Sequence, residues 1–231
     1  MKKDLTYAFI IRMHYPKGSE SFEKRLALFR VLTLPRIQAQ TRQIFDICVW
    51  CNEWHEERIK ALDPNIKTFS VSKIEFDEKY DLAVSKGFHV DFTPWRNVVG
   101  LEKYDVQIGL DTDDIIMRDY VEKIEEVIIN NKEQAMHVSF QPYIFELSQL
   151  RTYTCPVCYH SHHASAFFAL YQPNKEDYMF AYEDSHLRLG EHIEKHQAGK
   201  SLTMPAGYCA FTVHGDNEST YLYDGAEPIM L

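Results

Sequence analysis

Three of the four residues Asp111-Thr112-Asp113-Asp114 are carboxylates, and they follow an apolar-leaning run, Val106-Gln107-Ile108-Gly109-Leu110. Like charges this close repel, and a carboxylate is rarely buried without a partner. The usual partner is a hard divalent cation, Mg²⁺ or Mn²⁺, which takes oxygen ligands and can in turn hold a diphosphate. The cluster therefore points to chemistry on a nucleotide-activated substrate. If the strand continued, Asp111 and Asp113 would face one side and could reach one cation. Asp114 would then cap the following helix or brace a basic residue. A solvated acidic turn ending in a helix cap would use the same residues without a metal.

Four other groups could share that chemistry. His214, in Val213-His214-Gly215-Asp216-Asn217, follows a strand-like run, and a neutral imidazole can ligate a divalent cation. His-Gly and Asp-Asn also suit an ordinary surface turn. Glu183 and Asp184 open a helical stretch, where acid is favourable to the helix dipole on structural grounds alone; the functional reading is a general base for an acceptor hydroxyl. Arg12 and Arg96 fall near element ends ahead of the acidic cluster and could grip phosphate bidentately, or form ion pairs in an acidic chain. Finally, Cys155-Pro156-Val157-Cys158, with His160 and His163 close behind, is half of a structural Zn²⁺ site. A reduced polar loop is the plainer reading. The other C-x-x-C pair, Cys48 and Cys51, sits on an expected strand, where odd spacing sends the thiols to opposite faces.

The elements that must position these groups follow from periodicity. Short aromatic and β-branched runs predict strands over 5–11, 44–50, 66–71, 105–110, 135–140, 166–171 and 210–213. Ser19 or Ser21 can cap a helix in which Phe22, Leu26, Phe29 and Leu32 or Thr33 recur at helical spacing, ended or kinked by Pro35. Further helices are expected over 56–62, 95–101, 120–130 and 182–196, the third with Val121, Ile124, Val127 and Ile128 on one face. Residues 72–94 read as loop. Alternating strands and helices predict an α/β fold with ligands at the carboxyl ends of the strands, where Arg12, His14 and the acidic cluster fall.

The 231 residues, 45% of them hydrophobic, suffice for one substantial core, so a single domain is expected. A net charge of −9 argues against a general nucleic-acid binder. The sequence has no run of 18 apolar residues and no apolar signal region, which makes a cytoplasmic protein, in a bacterium or in the host of a virus, the default. Five cysteines, an odd number, do not form a disulfide scaffold.

With Ile11-Arg12, Arg96, Gly109-Leu110-Asp111-Thr112-Asp113-Asp114 and Val213-His214-Gly215-Asp216-Asn217 in place, the chain resembles a GT-A glycosyltransferase, nearest to the bacterial "putative rhamnosyltransferase" family. The resemblance implies a GT-A-like (Rossmann-like) mixed, mainly parallel sheet flanked by helices in one domain over 1–231. Residues 1–114 would be the nucleotide-sugar half and 115–231 the acceptor half. It implies transfer of a sugar, rhamnose by the family label, from a nucleoside-diphosphate sugar to a hydroxyl of a glycan or other acceptor, with Mn²⁺ or Mg²⁺. Asp111 would meet the ribose or a metal-bound water, Asp113 the metal, and His214 the metal or diphosphate. Arg12, Arg96 and Asp114 would serve the donor, and Asp184 or Glu183 would be the base. The Cys155–His163 loop departs from the family pattern. Two other readings use the same residues: a sugar-phosphate nucleotidyltransferase, which would want a Gly-rich basic loop where this chain has Arg12-Met13-His14-Tyr15-Pro16-Lys17-Gly18, and a non-catalytic, zinc-stapled binding module.

Overall fold

The computed structural model describes residues 5–71, 100–132, 134–155, 167–174, 179, 181, 189–214 and 227–229. In chain order the strands and α-helices among them are β1 (Tyr7–Met13), α1 (Glu20–Leu28), α2 (Leu34–Gln38), β2 (Phe45–Asn52), α3 (Glu56–Lys60), β3 (Lys67–Val71), β4 (Val106–Leu110), β5 (Ile115–Ile116), α4 (Tyr120–Asn130), β6 (Met136–Phe140), β7 (Tyr143–Glu146), β8 (Arg151–Thr154), β9 (Phe168–Tyr171), α5 (Leu189–His196), β10 (Lys200–Met204), β11 (Cys209–Val213) and β12 (Pro228–Ile229). A seven-stranded sheet runs β10-β6-β9-β4-β1-β2-β3. Its pairs are parallel except those of β9, which is antiparallel to both β4 and β6. This is the mixed, mainly parallel sheet expected. A second, five-stranded sheet, β12-β8-β7-β11-β5, was not legible in the sequence.

Side-chain alternation along β1 builds two core layers, because successive residues of a strand face opposite sides. Tyr7, Phe9 and Ile11 pack with Phe22, Leu26 and Phe29 of the α1 region and with Ile124 and Ile128 of α4. Ala8 and Ile10 pack with Trp50, Phe168 and Leu170, and with Leu189 and Ile193 of α5. Cys51 lies in the first layer and Cys48 in the second, so this pair is split across the sheet as its spacing predicts.

Ser19 is the α1 cap, its hydroxyl accepting the Phe22 N–H at 3.4 Å. Pro35 neither ends nor sharply stops the helical run. A π-helical turn over Phe29–Thr33 precedes it, and α2 resumes with Pro35 in its first turn, where a missing N–H costs least. The expected helix over 120–130 is α4. Of the helix expected over 182–196, Leu189–His196 is helical and 182–188 lies outside the described residues. The helix expected over 95–101 lies almost wholly outside them; Leu101–Lys103 forms a single 3₁₀ turn. The β7–β8 hairpin escaped detection because its turn carries no glycine; Leu150 takes the left-handed conformation instead, at φ 54°. β10 is an edge strand of mixed polarity, with too little apolar alternation to be read.

Candidate functional site

The parallel pairing of β1 with β4 places Ile11 opposite Leu110, the last residue of β4, while β1 continues to Met13. Beyond Leu110 the chain leaves the sheet. Residues 111–114 form a turn, so the strand alternation that would have set Asp111 and Asp113 on one side does not apply. Thr112, Asp113 and Asp114 are buried and Asp111 is half-buried. The turn is held from outside by Thr33, whose hydroxyl sits at 3.0 Å from the Thr112 carbonyl and 2.8 Å from the Asp114 carbonyl. Thr33 belongs to the π-helical turn, so the irregular helix and the acidic turn brace each other.

Asp114 does not cap a helix. The α4 cap position is Asp119, which makes no side-chain capping bond, and buried Gln40 accepts the Val121 N–H at 3.0 Å instead. Asp114 accepts the backbone N–H of Thr212 at 3.2 Å. Burial, with the charges of Asp113 and Asp111 close by, pushes its carboxyl well above the usual carboxylate range. A carboxyl shifted toward its neutral form and held by the Thr212 N–H is nearly mimicked by an amide. Asp114→Asn is therefore expected to leave the melting temperature unchanged or raised. Asp114→Leu strands the Thr212 N–H and should cost about 1–3 kcal/mol by denaturant unfolding.

Asp113 is where distant segments meet. Its Oδ2 is ion-paired with Nη1 of Arg25 on α1 and lies 2.9 Å from His214 Nε2. His214 arrives from 101 residues away because β5, directly after the acidic turn, pairs antiparallel with β11, setting Ile115 opposite Ala210 and Ile116 opposite Cys209. His214 then follows the last residue of β11. The Tyr15 ring approaches from the loop after β1. That loop is fixed by Asn52, whose Oδ1 accepts the Tyr15 N–H at 2.9 Å, and by Trp54 and His55, whose ring nitrogens lie 3.2 Å and 3.1 Å from the Tyr15 carbonyl. Burial raises the Tyr15 hydroxyl's pKa, and the charges of Arg25, Asp113, Arg12 and Asp111 all act on it. Burial opposes the charge on Arg25, but Asp113, Tyr15 and Asp111 together outweigh it and raise its pKa.

Arg25 and Tyr15 were missed in the sequence. Arg25 had a signal: it stands three residues after Phe22 and four before Phe29, on the apolar stripe of its helix, where an arginine needs a buried partner. Of the residues singled out in the sequence, Arg12 is exposed on β1, with His14 just beyond it. Burial, with Arg12 beside it, lowers the His14 pKa to about 3, and its ring stands edge-on to Trp50 at 4.3 Å. Cys155 is buried. Arg96, Glu183, Asp184, Cys158, His160 and His163 lie outside the described residues.

Met179 and Ala181, earlier in the chain than Glu183, are anchored. Gln107, buried on β4, donates to the Met179 carbonyl at 2.9 Å and accepts the Ala181 N–H at 3.1 Å. Gln172 donates to the same carbonyl at 2.7 Å. Gln107→Leu removes one side of this staple and leaves the Ala181 N–H buried without it. Expected is a loss of about 1–3 kcal/mol in denaturant unfolding.

A divalent cation is testable against the donor set. Among the described residues, no three His, Cys, Asp or Glu side chains form a metal-binding cluster; Asp113 and His214 touch, and Asp111 stands in the same turn. Mg²⁺-type ions rarely use an all-protein cage; one or two carboxylates plus substrate phosphates and water suffice. Two ligands at right angles around such an ion, each about 2.1 Å from it, are roughly 3 Å apart. Asp113 Oδ2 and His214 Nε2 are hydrogen-bonded to each other at 2.9 Å, close enough for a carboxylate oxygen and an imidazole nitrogen to be neighbouring ligands of one such ion, so the donor set fits it.

A mainly parallel sheet with its acidic turn at the strand ends is the architecture of the GT-A glycosyltransferases. Staphylococcus aureus TarS superposes with a TM-score of 0.53 at 11% identity, over 90% of this chain and 37% of TarS. S. aureus TarS 1-349 in complex with UDP-GlcNAc gives 0.53 at 8% identity, over 92% of this chain and 60% of that one. The chain thus spans less than two thirds of each of these neighbours, and the likeness shows the fold alone. Among curated proteins none matches the sequence significantly. The family described as "Putative rhamnosyl transferase" matches residues 12–223, and the chain belongs to it. Among the described residues no helix is long and apolar enough to cross a membrane.

Proposed function

We propose that this glycosyltransferase moves a sugar, with rhamnose as the family's candidate, from a nucleoside-diphosphate sugar to a hydroxyl of a glycan or similar acceptor by one direct displacement. The observation that carries this reading is the meeting of Arg25, Asp113 and His214 just beyond the end of β4. UDP-GlcNAc bound to TarS 1-349 supports a nucleotide-sugar donor for the shared fold. Mn²⁺ or Mg²⁺, held by Asp113 and His214 with Asp111 through water, would supply positive charge for the leaving diphosphate. Arg12, Arg25 and Arg96 add guanidinium donors to the same oxygens. Asp184, or Glu183 beside it, takes the proton of the acceptor hydroxyl. In this reading residues 1–114 build the donor half and 115–231 the acceptor half of one domain, with His214 reaching back across.

Thermal unfolding against a panel of nucleoside diphosphates, with and without Mn²⁺, tests the donor site. A ligand that binds only the folded chain raises its midpoint by mass action. A shift with one diphosphate that requires Mn²⁺ and is lost in Asp113→Ala is the expected result and names the base. No shift with any diphosphate at saturating metal overturns the reading.

A further inference from the structure

We propose that Arg25 is an exchangeable counter-cation of the site: it and the divalent ion need the same Asp113 carboxylate, and when the ion takes Asp113 the guanidinium turns to the donor diphosphate. This rests on the metal-dependent reading above. Arg25 is paired with Oδ2 of Asp113, the same oxygen that faces His214 Nε2. A guanidinium and a divalent ion cannot share that oxygen closely without strong repulsion. Of the three side chains, Arg25 is the one at the solvent edge, 25% exposed against 6% for Asp113 and 8% for His214. It is therefore the member that can swing, while Phe22, Leu26 and Phe29, buried beneath α1, keep its backbone in place. Its planar fork of donors suits two phosphate oxygens as well as it suits a carboxylate. Because metal and diphosphate would each free Arg25 for the other's benefit, their binding is positively and reciprocally coupled.

The test is Mn²⁺ binding to the full chain, read from the spectrum of the free ion by electron paramagnetic resonance, with no substrate and no turnover. Arg25→Gln removes the competitor and is expected to bind Mn²⁺ roughly tenfold tighter, the worth of one charge-assisted hydrogen bond. Arg25→Lys, which keeps the charge on a shorter arm, should fall between the two and covers the case in which the glutamine variant does not fold. Calorimetry with inorganic pyrophosphate at fixed Mg²⁺ should show binding roughly tenfold weaker in Arg25→Gln than in wild type. If wild type binds Mn²⁺ and folded Arg25 variants bind it equally or more weakly, the exchange is overturned and the metal site stands. Equal pyrophosphate affinity overturns the diphosphate half of the proposal. If wild type takes up no Mn²⁺ with or without pyrophosphate, the metal-dependent reading itself fails, and this proposal fails with it.

Discussion

Asp113→Ala is expected to reduce sugar transfer by on the order of 10³-fold, measured as nucleoside diphosphate released per acceptor glycosylated. Three contacts converge on this carboxylate: Arg25, His214 and, in the proposed function, the ion. Removing it deprives the leaving diphosphate of charge compensation at the moment charge develops, which is where electrostatic preorganisation contributes most. The fold should survive. Arg25 can reach water at the solvent edge, and the turn stays held by Thr33 through the backbone carbonyls of Thr112 and Asp114 rather than through Asp113. Asp111→Ala, at the half-buried end of the turn, should have the smaller effect. Transfer at the wild-type rate by folded Asp113→Ala would sink the assignment.

Gly109→Ala should be the most destabilising small substitution in the sheet. Gly109 pairs with Phe168 across β4 and β9, and the phenyl ring lies over it. An added Cβ would stand 2.3 Å from the ring's Cζ and 2.4 Å from Cε1, well inside contact distance. Gly109 does not have a positive φ, so space alone requires the glycine. Phe168 is buried in the second core layer with Leu170, Leu189 and Ile193, which leaves the ring little room to retreat. Overpacking of this kind costs about 1–3 kcal/mol, and each kcal/mol lowers the melting temperature of a chain this size by about 2–4 °C. A fall of roughly 2–12 °C is expected by calorimetry. Gly109→Ala combined with Phe168→Leu should recover part of it, since the smaller side chain vacates the clash. Equal destabilisation in the single and double variants would refute the steric explanation. Gly109 lies two residues before Asp111, so the single variant should also shift the acidic turn and slow transfer.

The sequence by itself determined the parts whose cause is local. Alternation of aromatic and β-branched residues made β1, β2 and β4 readable, a helical stripe gave α4 over the expected residues, and odd spacing separated Cys48 from Cys51. The acidic cluster and the late His-Gly pointed to one site, because such residue types are hard to explain by folding alone. Their partners could not be read in the same way. Asp113 meets His214 only because two residues of β5 pair with β11, a strand bridge too short to leave a pattern. Arg25 reaches Asp113 only because Thr33, in an irregular turn of the same helical run, docks on the carbonyls around it. Asp114, expected to cap a helix or brace a basic residue, is instead a buried acid held against β11, where burial beside two other carboxylates favours its neutral form, and the ion pair with Arg25 is made by Asp113. Local periodicity follows from backbone geometry, which every residue carries. Convergence of charges across about a hundred residues depends on how the sheets pack, and that was decided by the tertiary structure alone.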